Sequence, residues 1–254
     1  MSYFIDVQGT LIDDVDKKPI EGAIAFIDTL NAKKIPYVVV TNNTKIPSTQ
    51  FHQFLNDLGF SIPAQNYLDP FMALGNVLHV KNIRSFGAEE FVYVMEQLGY
   101  DQNAKNPEAI VIASKKDFSA EDYASMIELS LSGAKIVGMH ATSIYAKDKR
   151  RYPGVGAILE MLSYATGKEY HVVGKPSTLF YHEALKLLQA QGAHGDFSEV
   201  TMISDDAIGD LLGAKKLGMK TILVLSGKCR DASEVLHVKS DLDEIVSHIG
   251  AIEG

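Results

Sequence analysis

The sequence contains a single cysteine, Cys229, and no tryptophan. One thiol cannot form a disulfide within the chain, so the disulfide-stabilised secreted domains are excluded and a reducing compartment is favoured. No apolar run approaches the roughly 20 residues that a membrane-spanning helix needs. The N-terminus also lacks a basic segment followed by a long apolar one. We therefore expect a cytoplasmic protein without a signal peptide and without a membrane partner.

Positive charge is scarce as well. The chain has 24 lysines and arginines against 32 aspartates and glutamates, which gives a formal net charge of −8. An acidic chain lacks the general basic surface on which nucleic-acid binding depends, so we expect no nucleic-acid partner. The 8 histidines show no His-x-x-x-His spacing, which excludes the common helical zinc motif.

The chain is instead rich in alternating strand and helix patterns. It has 254 residues, of which 46% are hydrophobic, enough for a large core with a second domain inserted into it. The alternation predicts the α/β class, with a Rossmann-like core and a parallel sheet formed by residues 1–80 and 170–254. Residues 81–169 repeat a smaller α/β pattern and are predicted to form the inserted domain.

Four local predictions can be compared with the structure. Ser119 is predicted to be the N-cap of a helix over residues 120–132. Helical spacing predicts a helix from Pro70 to Val80 and another from Leu242 to Ile249. The basic run Lys147–Arg151 is interpreted as a solvated loop, and contact with an anionic substrate is the alternative.

Polar side chains follow four of the predicted strands. The first strand, Tyr3–Val7, is apolar except for one carboxylate, and an acid in such a strand is costly to bury unless it is used. The carboxyl ends of parallel strands share one sheet edge, where ligands bind. We therefore expect the following residues to lie together: Asp6; Thr41, Asn42 and Asn43; Lys175; Asp205 and Asp210.

These residue types fit one kind of chemistry. Mg²⁺ prefers oxygen ligands and usually brings a substrate phosphate with it. Lys175 and the donors near Thr41 would hold phosphate oxygens, and Asp6 would be a nucleophile of the aspartyl-phosphate type. Purely structural alternatives exist for several positions: Asp6 as a buried acid, Asp206 as a surface neighbour, Asp210 as a helix-start acid, Lys175 as an exposed loop residue, and Asn42 and Asn43 as turn residues.

The order of the short motifs resembles a known family. Asp-x-x-Gly-Thr-Leu at residue 6, Thr-Asn-Asn at 41, Gly-Lys-Pro at 174 and Asp-x-x-x-x-Asp at 205 are together similar to the haloacid-dehalogenase (HAD) superfamily. The inserted segment resembles the large α/β cap of its NagD-like branch, as do Pro153-Gly-Val-Gly156 and Leu223-Val-Leu-Ser-Gly227. This resemblance extends over essentially the whole chain.

The resemblance implies roles for individual residues. Asp6 would take the phosphoryl group, and Lys175 would bridge Asp6 and that group. Asp6, Asp205 and the backbone carbonyl of Gln8 would ligate Mg²⁺, with Asp210 close to the metal. Thr41, Asn42 and Asn43 would contact phosphate or substrate. The cap would close over the site and select a small phosphorylated molecule, and the chain would form a homodimer through the cap.

The sequence departs from the family pattern at Gln8. Phosphatases of this family have an aspartate there, which protonates the leaving group and then activates water. A glutamine amide forms hydrogen bonds but exchanges no proton near neutral pH, and a positioned acid/base contributes ~10²–10⁴-fold. Two further departures are Ser204, where glycine is usual, and Met139-His140, where Thr-Asn is usual. His140 is expected on the cap surface; as a proton donor it is the nearest candidate to compensate for Gln8.

Three hypotheses follow. The first is a Mg²⁺-dependent phosphatase slowed by Gln8. The second is a catalytically impaired protein on the same fold that binds a phosphorylated metabolite or a partner. The third is different chemistry at Asp6: dehalogenation, which needs no Mg²⁺, or phosphonate cleavage, which needs a cap lysine that the sequence does not reveal. A phospho-receiver domain, with about five βα units, would leave the central insertion unexplained.

Overall fold

The computed structural model describes residues 1–147 and 150–252. Its residues form two compact units. The first consists of Met1–Thr41, Thr49–Leu68 and Tyr181–Gly254, and the second of Asn42–Ser48 and Asp69–Phe180. The predicted cap limits, residues 81 and 169, stay a prediction. Among the described residues, no helix is both long enough and apolar enough to cross a membrane.

Twelve strands and eight α-helices make up the regular structure of the described residues. The strands are β1 (Ser2–Asp6), β2 (Tyr37–Val40), β3 (Tyr67–Leu68), β4 (Ile83–Phe86), β5 (Ala109–Ile112), β6 (Lys135–Gly138), β7 (Ile144–Lys147), β8 (Arg150–Pro153), β9 (Tyr170–Val172), β10 (Val200–Ser204), β11 (Lys220–Val224) and β12 (Glu244–Val246). The helices are α1 (Ala23–Lys33), α2 (Ser48–Asp57), α3 (Pro70–Ala73), α4 (Glu89–Gln97), α5 (Ala120–Leu131), α6 (Val155–Thr166), α7 (Thr178–Ala190) and α8 (Leu212–Lys216).

The first unit is built on a six-stranded parallel sheet in the order β12-β11-β10-β1-β2-β3. Its central strands are continuous apolar runs, as expected where both faces of a parallel sheet are covered. Ile5 of β1 is in register with Ile203 of β10 and with Val39 of β2, and all three are fully buried. This arrangement confirms the predicted α/β class and places β1 in the middle of the sheet.

Helix α1 shows how a local pattern positions an element on this sheet. Its buried residues Ala23, Ile27 and Leu30 recur at intervals of four and three, so they form one apolar stripe. The helix stops at Lys33 because Lys34 adopts the left-handed conformation, with φ 55°. The chain then turns directly into β2.

The second unit contains a four-stranded parallel sheet in the order β4-β5-β6-β9 and an antiparallel hairpin of β7 and β8. Strand β5 is buried along its whole length. Helix α5 begins with a capping box, in which Ser119 and Asp122 each bond the other's backbone. The N-cap predicted at Ser119 is confirmed.

The predicted helix from Leu242 to Ile249 is wrong. Residues Glu244–Val246 form β12, which pairs in parallel with β11. Leu242, Ile245, Val246 and Ile249 have helical spacing, but a three-residue strand is too short for its alternation to outweigh that signal. The side chain of Asp243 decides the outcome, since it accepts hydrogen bonds from the backbone N–H and the hydroxyl of Thr221, both at 2.9 Å.

Two other local predictions need correction. The helix that starts at Pro70 ends at Ala73 and continues only as a 3₁₀ turn over Leu74–Asn76, where Gly75 weakens further helix. The basic run Lys147–Arg151 is not simply a loop, because its first residue ends β7 and its last two belong to β8. Residues 148 and 149 of that run lie outside the described residues.

The strand before Lys175 also differs from the prediction. We expected it in the same sheet as β1, so that Lys175 and Asp6 would share one sheet edge. Strand β9 instead pairs with β6 in the four-stranded sheet, with Val137 opposite His171. The sequence could not show this, because a short apolar strand carries no information about which of two sheets it joins.

Replacing Asp243 should destabilise the first unit. Partial burial alone raises the pKa of Asp243, but hydrogen bonds from Lys215 and Thr221 outweigh it and hold the pKa below its ordinary value. Asp243→Ala should therefore cost about 1–2 kcal/mol of unfolding free energy. A carboxylate with a lowered pKa stabilises the fold above its unfolded pKa, so the cost should be complete above roughly pH 5 and fade below about pH 4. Urea unfolding at several pH values measures it.

Asp241→Ala is the matched control, since Asp241 is exposed and lies two residues away. It should leave the unfolding midpoint almost unchanged. Equal effects of the two substitutions, or a cost at Asp243 that does not vary with pH, would contradict this account of β12.

Candidate active site

The first unit places Asp6 at the carboxyl end of β1, where only 5% of its surface is exposed. The hydroxyl of Thr10 donates a hydrogen bond to Asp6 Oδ2 at 3.4 Å. The same hydroxyl oxygen accepts a hydrogen bond from the backbone N–H of Asp205 at 3.1 Å. Thr10 therefore connects the carboxylate that ends β1 to the backbone that follows β10.

Asp205 is the second buried carboxylate of this group, with 2% of its surface exposed. Its Oδ2 atom accepts a hydrogen bond from the backbone N–H of Lys228 at 2.6 Å. Burial raises the pKa of Asp205 well above its usual range, and the negative charge of Asp6 raises it further. The charge of Asp6 therefore affects the ionisation of Asp205, as expected for two acids that were predicted to lie together.

Two glycines make this close packing possible. Gly9 has φ +79°, a conformation that other residues rarely adopt. A Cβ atom at Gly9 or at Gly227 would overlap the carboxylate of Asp205, and the Cβ of Gly227 would also lie 2.6 Å from the Cα of Gly9. The turn after β1 and the loop after β11 thus form a narrow cradle around Asp205. Ser226 secures it by donating a hydrogen bond to the carbonyl of Gly9 at 2.7 Å.

Gln8 lies next to Thr41, the residue that follows β2. The hydroxyl of Thr41 donates a hydrogen bond to Gln8 Oε1 at 2.9 Å. Thr41 is fully buried, whereas Gln8 is partly exposed. The structure therefore gives Thr41 a contact with Gln8; its predicted contact with phosphate stays a prediction.

Asp210 is held by Ser204, one of the positions that depart from the family pattern. Ser204, the last residue of β10, donates a hydrogen bond to Asp210 Oδ2 at 2.8 Å and accepts one from the backbone N–H of Asp206 at 3.1 Å. Asp210 lies in a π-helical turn over Ala207–Leu211. The position where the family pattern has glycine thus supplies the hydroxyl that orients this acid.

Asp206 and Lys228 form an ion pair beside the site. Asp206 also caps the π-helical turn, since its Oδ1 accepts a hydrogen bond from the N–H of Gly209 at 2.8 Å. Burial alone lowers the pKa of Lys228, but the Asp206 carboxylate outweighs this and raises it. The interpretation of Asp206 as a neighbour of the site is consistent with these contacts, and Lys228 had no signal in the sequence beyond its nearness to Gly227.

The second unit contains the other predicted site residues. Lys175 is 2% exposed, which excludes the alternative of an exposed loop lysine. Asn42 holds its backbone, because Oδ1 accepts a hydrogen bond from the N–H of Lys175 at 2.9 Å and Nδ2 donates one to its carbonyl at 3.3 Å. A Cβ atom at Gly174 would lie 2.6 Å from Asn42 Oδ1, so glycine is required there. Asn42 is thus a positioning residue for Lys175.

Asn43 stabilises its own turn. It donates a hydrogen bond to the carbonyl of Ile46 at 2.7 Å, and its Oδ1 accepts weaker ones from the N–H groups of Lys45 and Ile46, both at 3.3 Å. This is the side-chain-to-backbone pattern of an Asx turn. Its predicted substrate contact stays a prediction.

His140 is not on the cap surface as expected, since only 5% of it is exposed. Its Nδ1 accepts a hydrogen bond from the N–H of Thr142 at 3.3 Å, so Nε2 carries the proton and faces the hydroxyl of Ser114 at 3.1 Å. It follows the apolar strand β6, and Ser114 lies shortly after the neighbouring strand β5. The sequence could not show this contact, because the two residues are 26 positions apart.

The donor set of the first unit fits a small divalent cation. In the described residues, no cluster of three or more histidine, cysteine, aspartate or glutamate side chains is arranged to hold a metal. The family resemblance implies another set, the carboxylates of Asp6 and Asp205 with the backbone carbonyl of Gln8. All of these donors are oxygens, which Mg²⁺ prefers. Burial, and after it the charge of Asp6, raises the pKa of Asp205, so a cation bound here would stabilise its charged form.

Comparisons with known proteins agree with this architecture. A family model described as haloacid dehalogenase-like hydrolase matches residues 3–101, and a HAD-hydrolase-like model matches residues 172–252. A curated relative, 5'-nucleotidase YutF of Bacillus subtilis, is 24% identical over 97% of this chain and 98% of its own length.

Two solved structures share the fold. The p-nitrophenyl phosphatase from Archaeoglobus fulgidus aligns with a TM-score of 0.80 and 22% identity, covering 98% of this chain and 96% of its own. NagD from Escherichia coli K-12 aligns with a TM-score of 0.79 and 20% identity, covering 99% and 98%. The second family model and both alignments include β10 and β11. Asp205 directly follows β10, and its loop partners Gly227 and Lys228 lie after β11.

Replacing Asn42 should loosen the backbone of Lys175. Asn42→Ala removes both hydrogen bonds to that residue, and leaving such groups without partners costs about 1–3 kcal/mol. We expect hydrogen exchange of the peptide containing residues 174–177 to accelerate by roughly tenfold or more, while peptides of the first unit are unaffected.

Asn106→Ala is the matched control in the same unit, because Asn106 is exposed and lies in a loop. It should leave the exchange of residues 174–177 unchanged. If Asn42→Ala also left it unchanged, Asn42 would not be a positioning residue.

Proposed function

The chain belongs to the haloacid dehalogenase-like hydrolases, and we propose that within this family it is a Mg²⁺-dependent phosphatase acting on a small phosphorylated molecule through Asp6. The observation that carries the proposal is the pair of buried carboxylates, Asp6 and Asp205, joined through Thr10. Burying two acids side by side is unfavourable unless a cation and a reaction make use of them. Their position at the carboxyl ends of parallel strands is where ligands of α/β proteins bind.

The reaction would begin with Asp6 as nucleophile. A carboxylate oxygen of Asp6 attacks the phosphorus atom, the bond from phosphorus to the ester oxygen breaks, and that oxygen leaves as an anion that takes its proton from solvent. Thr10 orients the carboxylate through its hydrogen bond to Oδ2. When bound, Mg²⁺ would offset negative charge on the phosphoryl oxygens; Asp6, Asp205 and the Gln8 carbonyl would hold it.

Lys175 would supply the second positive charge. Its burial and the two hydrogen bonds from Asn42 to its backbone support a fixed role. In this proposal Lys175 bridges Asp6 and the phosphoryl group, as the family resemblance implies. Asn42 acts through Lys175, while Thr41 and Asn43 remain proposed contacts of phosphate or substrate.

The substrate class follows from the relatives. One curated relative is named a 5'-nucleotidase, and one structural neighbour is a p-nitrophenyl phosphatase. We propose a small phosphate ester as substrate, selected by a cap of about residues 81–169, with the protein acting in the cytoplasm as a homodimer through that cap.

A second candidate function rests on Gln8. Because its amide exchanges no proton, the protein could bind a phosphorylated metabolite or a partner without turning it over. The two candidates differ in product release, since only the phosphatase liberates inorganic phosphate. Dehalogenation, a third chemistry at Asp6, differs from the phosphatase in needing no Mg²⁺.

The test of the phosphatase is hydrolysis of p-nitrophenyl phosphate with Mg²⁺ and with EDTA. We expect release of nitrophenol that requires Mg²⁺ and that falls at least 10³-fold, to background, in Asp6→Asn, because the nucleophile is lost. Asp16→Asn is the control, since Asp16 is an exposed acid of the next loop, and it should retain full activity.

Tight binding of a phosphate ester measured by calorimetry, with no phosphate released by wild type, would favour the binding protein instead. Release that persists in EDTA would contradict Mg²⁺ dependence. Release that persists in Asp6→Asn would remove Asp6 from the mechanism.

Replacing Ser204 should weaken Mg²⁺ binding without destabilising the fold as a whole. Ser204→Ala removes the hydrogen bond to Asp210 Oδ2, so this acid loses its orientation near the proposed metal. A supporting hydrogen bond of this kind is worth about 10–100-fold in metal affinity. We expect the Mg²⁺ concentration for half-maximal activity, and the Kd of Mg²⁺ measured by calorimetry, to rise by about that factor. An unchanged Kd would show that Asp210 does not support the metal.

A further inference from the structure

The orientation of the Gln8 carboxamide is set by Thr41. The Thr41 hydroxyl donates a hydrogen bond to Oε1 of Gln8 at 2.9 Å, so the oxygen of the amide is turned towards Thr41. In the part of the chain that the structure describes, no atom accepts a hydrogen bond from Nε2 of Gln8, and Gln8 is only partly buried. Its two N–H groups are therefore open to a ligand.

Gln8 lies at the same strand end as Asp6. It stands two residues after Asp6, the last residue of β1. Thr41, which holds the amide, directly follows Val40, and Val40 is in register with Asp6. A phosphoryl group on Asp6 would thus meet hydrogen-bond donors at Gln8, and no group that removes or supplies a proton.

The two halves of the proposed reaction depend differently on a group that removes or supplies a proton. In the first half, the bond from phosphorus to the ester oxygen breaks, and a leaving group that is a weak base departs without being protonated. In the second half, a water oxygen attacks phosphorus, the bond from phosphorus to Asp6 breaks, and a water proton has to be removed. Water is a weak nucleophile for every substrate, so the second half lacks a base whatever the ester was.

We propose that Gln8, oriented by Thr41, makes hydrolysis of phosphorylated Asp6 the slow step, so that the protein persists as an aspartyl-phosphate form after an activated phosphate ester has reacted. The donors of Gln8 hold the phosphoryl oxygens, and the missing base leaves water unactivated. The products still balance, since hydrolysis yields inorganic phosphate, the free Asp6 carboxylate and one proton released to solvent. The inference deepens the proposed function and rests on it.

The experiment is rapid mixing of the full-length chain with p-nitrophenyl phosphate and Mg²⁺. We expect a burst of nitrophenol equal to about one per chain, followed by slow steady release. Acid quenching during the steady phase should give an intact mass increased by one phosphoryl group, on a tryptic or peptic fragment containing Asp6. Hydroxylamine, a stronger nucleophile than water, should remove that group.

Two variants differ only in the atom that can exchange a proton. Gln8→Asp introduces a carboxylate, and Gln8→Asn introduces an amide of the same length. Gln8→Asp should abolish the burst and raise steady release by ~10²–10⁴-fold. Gln8→Asn should keep a burst of about one nitrophenol per chain and the slow phase, but with a lower burst rate, because its shorter side chain loses the bond to Thr41. Equal behaviour of these two variants would overturn the assignment of the slow step to the missing base.

A second pair tests the orientation by Thr41. Thr41→Val removes the hydroxyl that holds Oε1, and Thr41→Ser keeps it. The burst rate should fall severalfold in Thr41→Val and recover in Thr41→Ser, because the amide can then turn its oxygen towards the phosphoryl group. Unchanged burst rates in both would overturn the role of Thr41.

Failure of this inference is distinguishable from failure of the proposed function. Linear release from wild type, lost in Asp6→Asn and without a phosphorylated chain, overturns the persistent aspartyl phosphate and leaves the phosphatase intact. Absence of both release and phosphorylation in wild type overturns the proposed phosphatase, and the inference fails with it.

Discussion

The interaction on which the site depends is the close approach of two buried carboxylates, Asp6 and Asp205. Burial raises the pKa of Asp205 well above its usual range, and repulsion from the neighbouring charge of Asp6 raises it further. Three features keep the acids together: the central position of β1 in the sheet, the hydroxyl of Thr10 between them, and glycines that let two loops pass close to Asp205. Without a bound cation, holding these two buried acids so close together would be energetically unfavourable.

The rest of the first unit can be understood from this constraint. Ser204 and Lys228 both contact the short acidic segment after β10, one through a hydroxyl and the other through its ammonium group and backbone N–H. Their contacts orient the acids of this segment. The site is therefore specified by backbone approach and hydrogen bonds, features with weak sequence signals. Ser204 stands where the family pattern has glycine, and its role became clear only from its hydrogen bond to Asp210.

Local predictions were most accurate where several signals agreed. The capped helix at Ser119 and the first strand, predicted over Tyr3–Val7 and observed as β1 over Ser2–Asp6, combine apolar pattern with clear boundaries, and both are confirmed. Predictions from apolar spacing alone were less accurate. The tail from Leu242 to Ile249 has helical spacing, but hydrogen bonds between Asp243 and Thr221, 22 positions away, bring it to the sheet as β12. Spacing within a segment cannot report a partner so distant in sequence.

The sequence by itself determined the α/β class and the family, and it identified Asp6, Gln8 and Asp205 as candidate site residues, because these depend on short motifs whose order is visible in the chain. Only the tertiary structure decided which sheet β9 joins, that His140 is buried, that Asn42 holds Lys175, and that the amide oxygen of Gln8 faces Thr41. Each of these depends on residues far apart in sequence, and their contacts exist only once both strands and loops have packed.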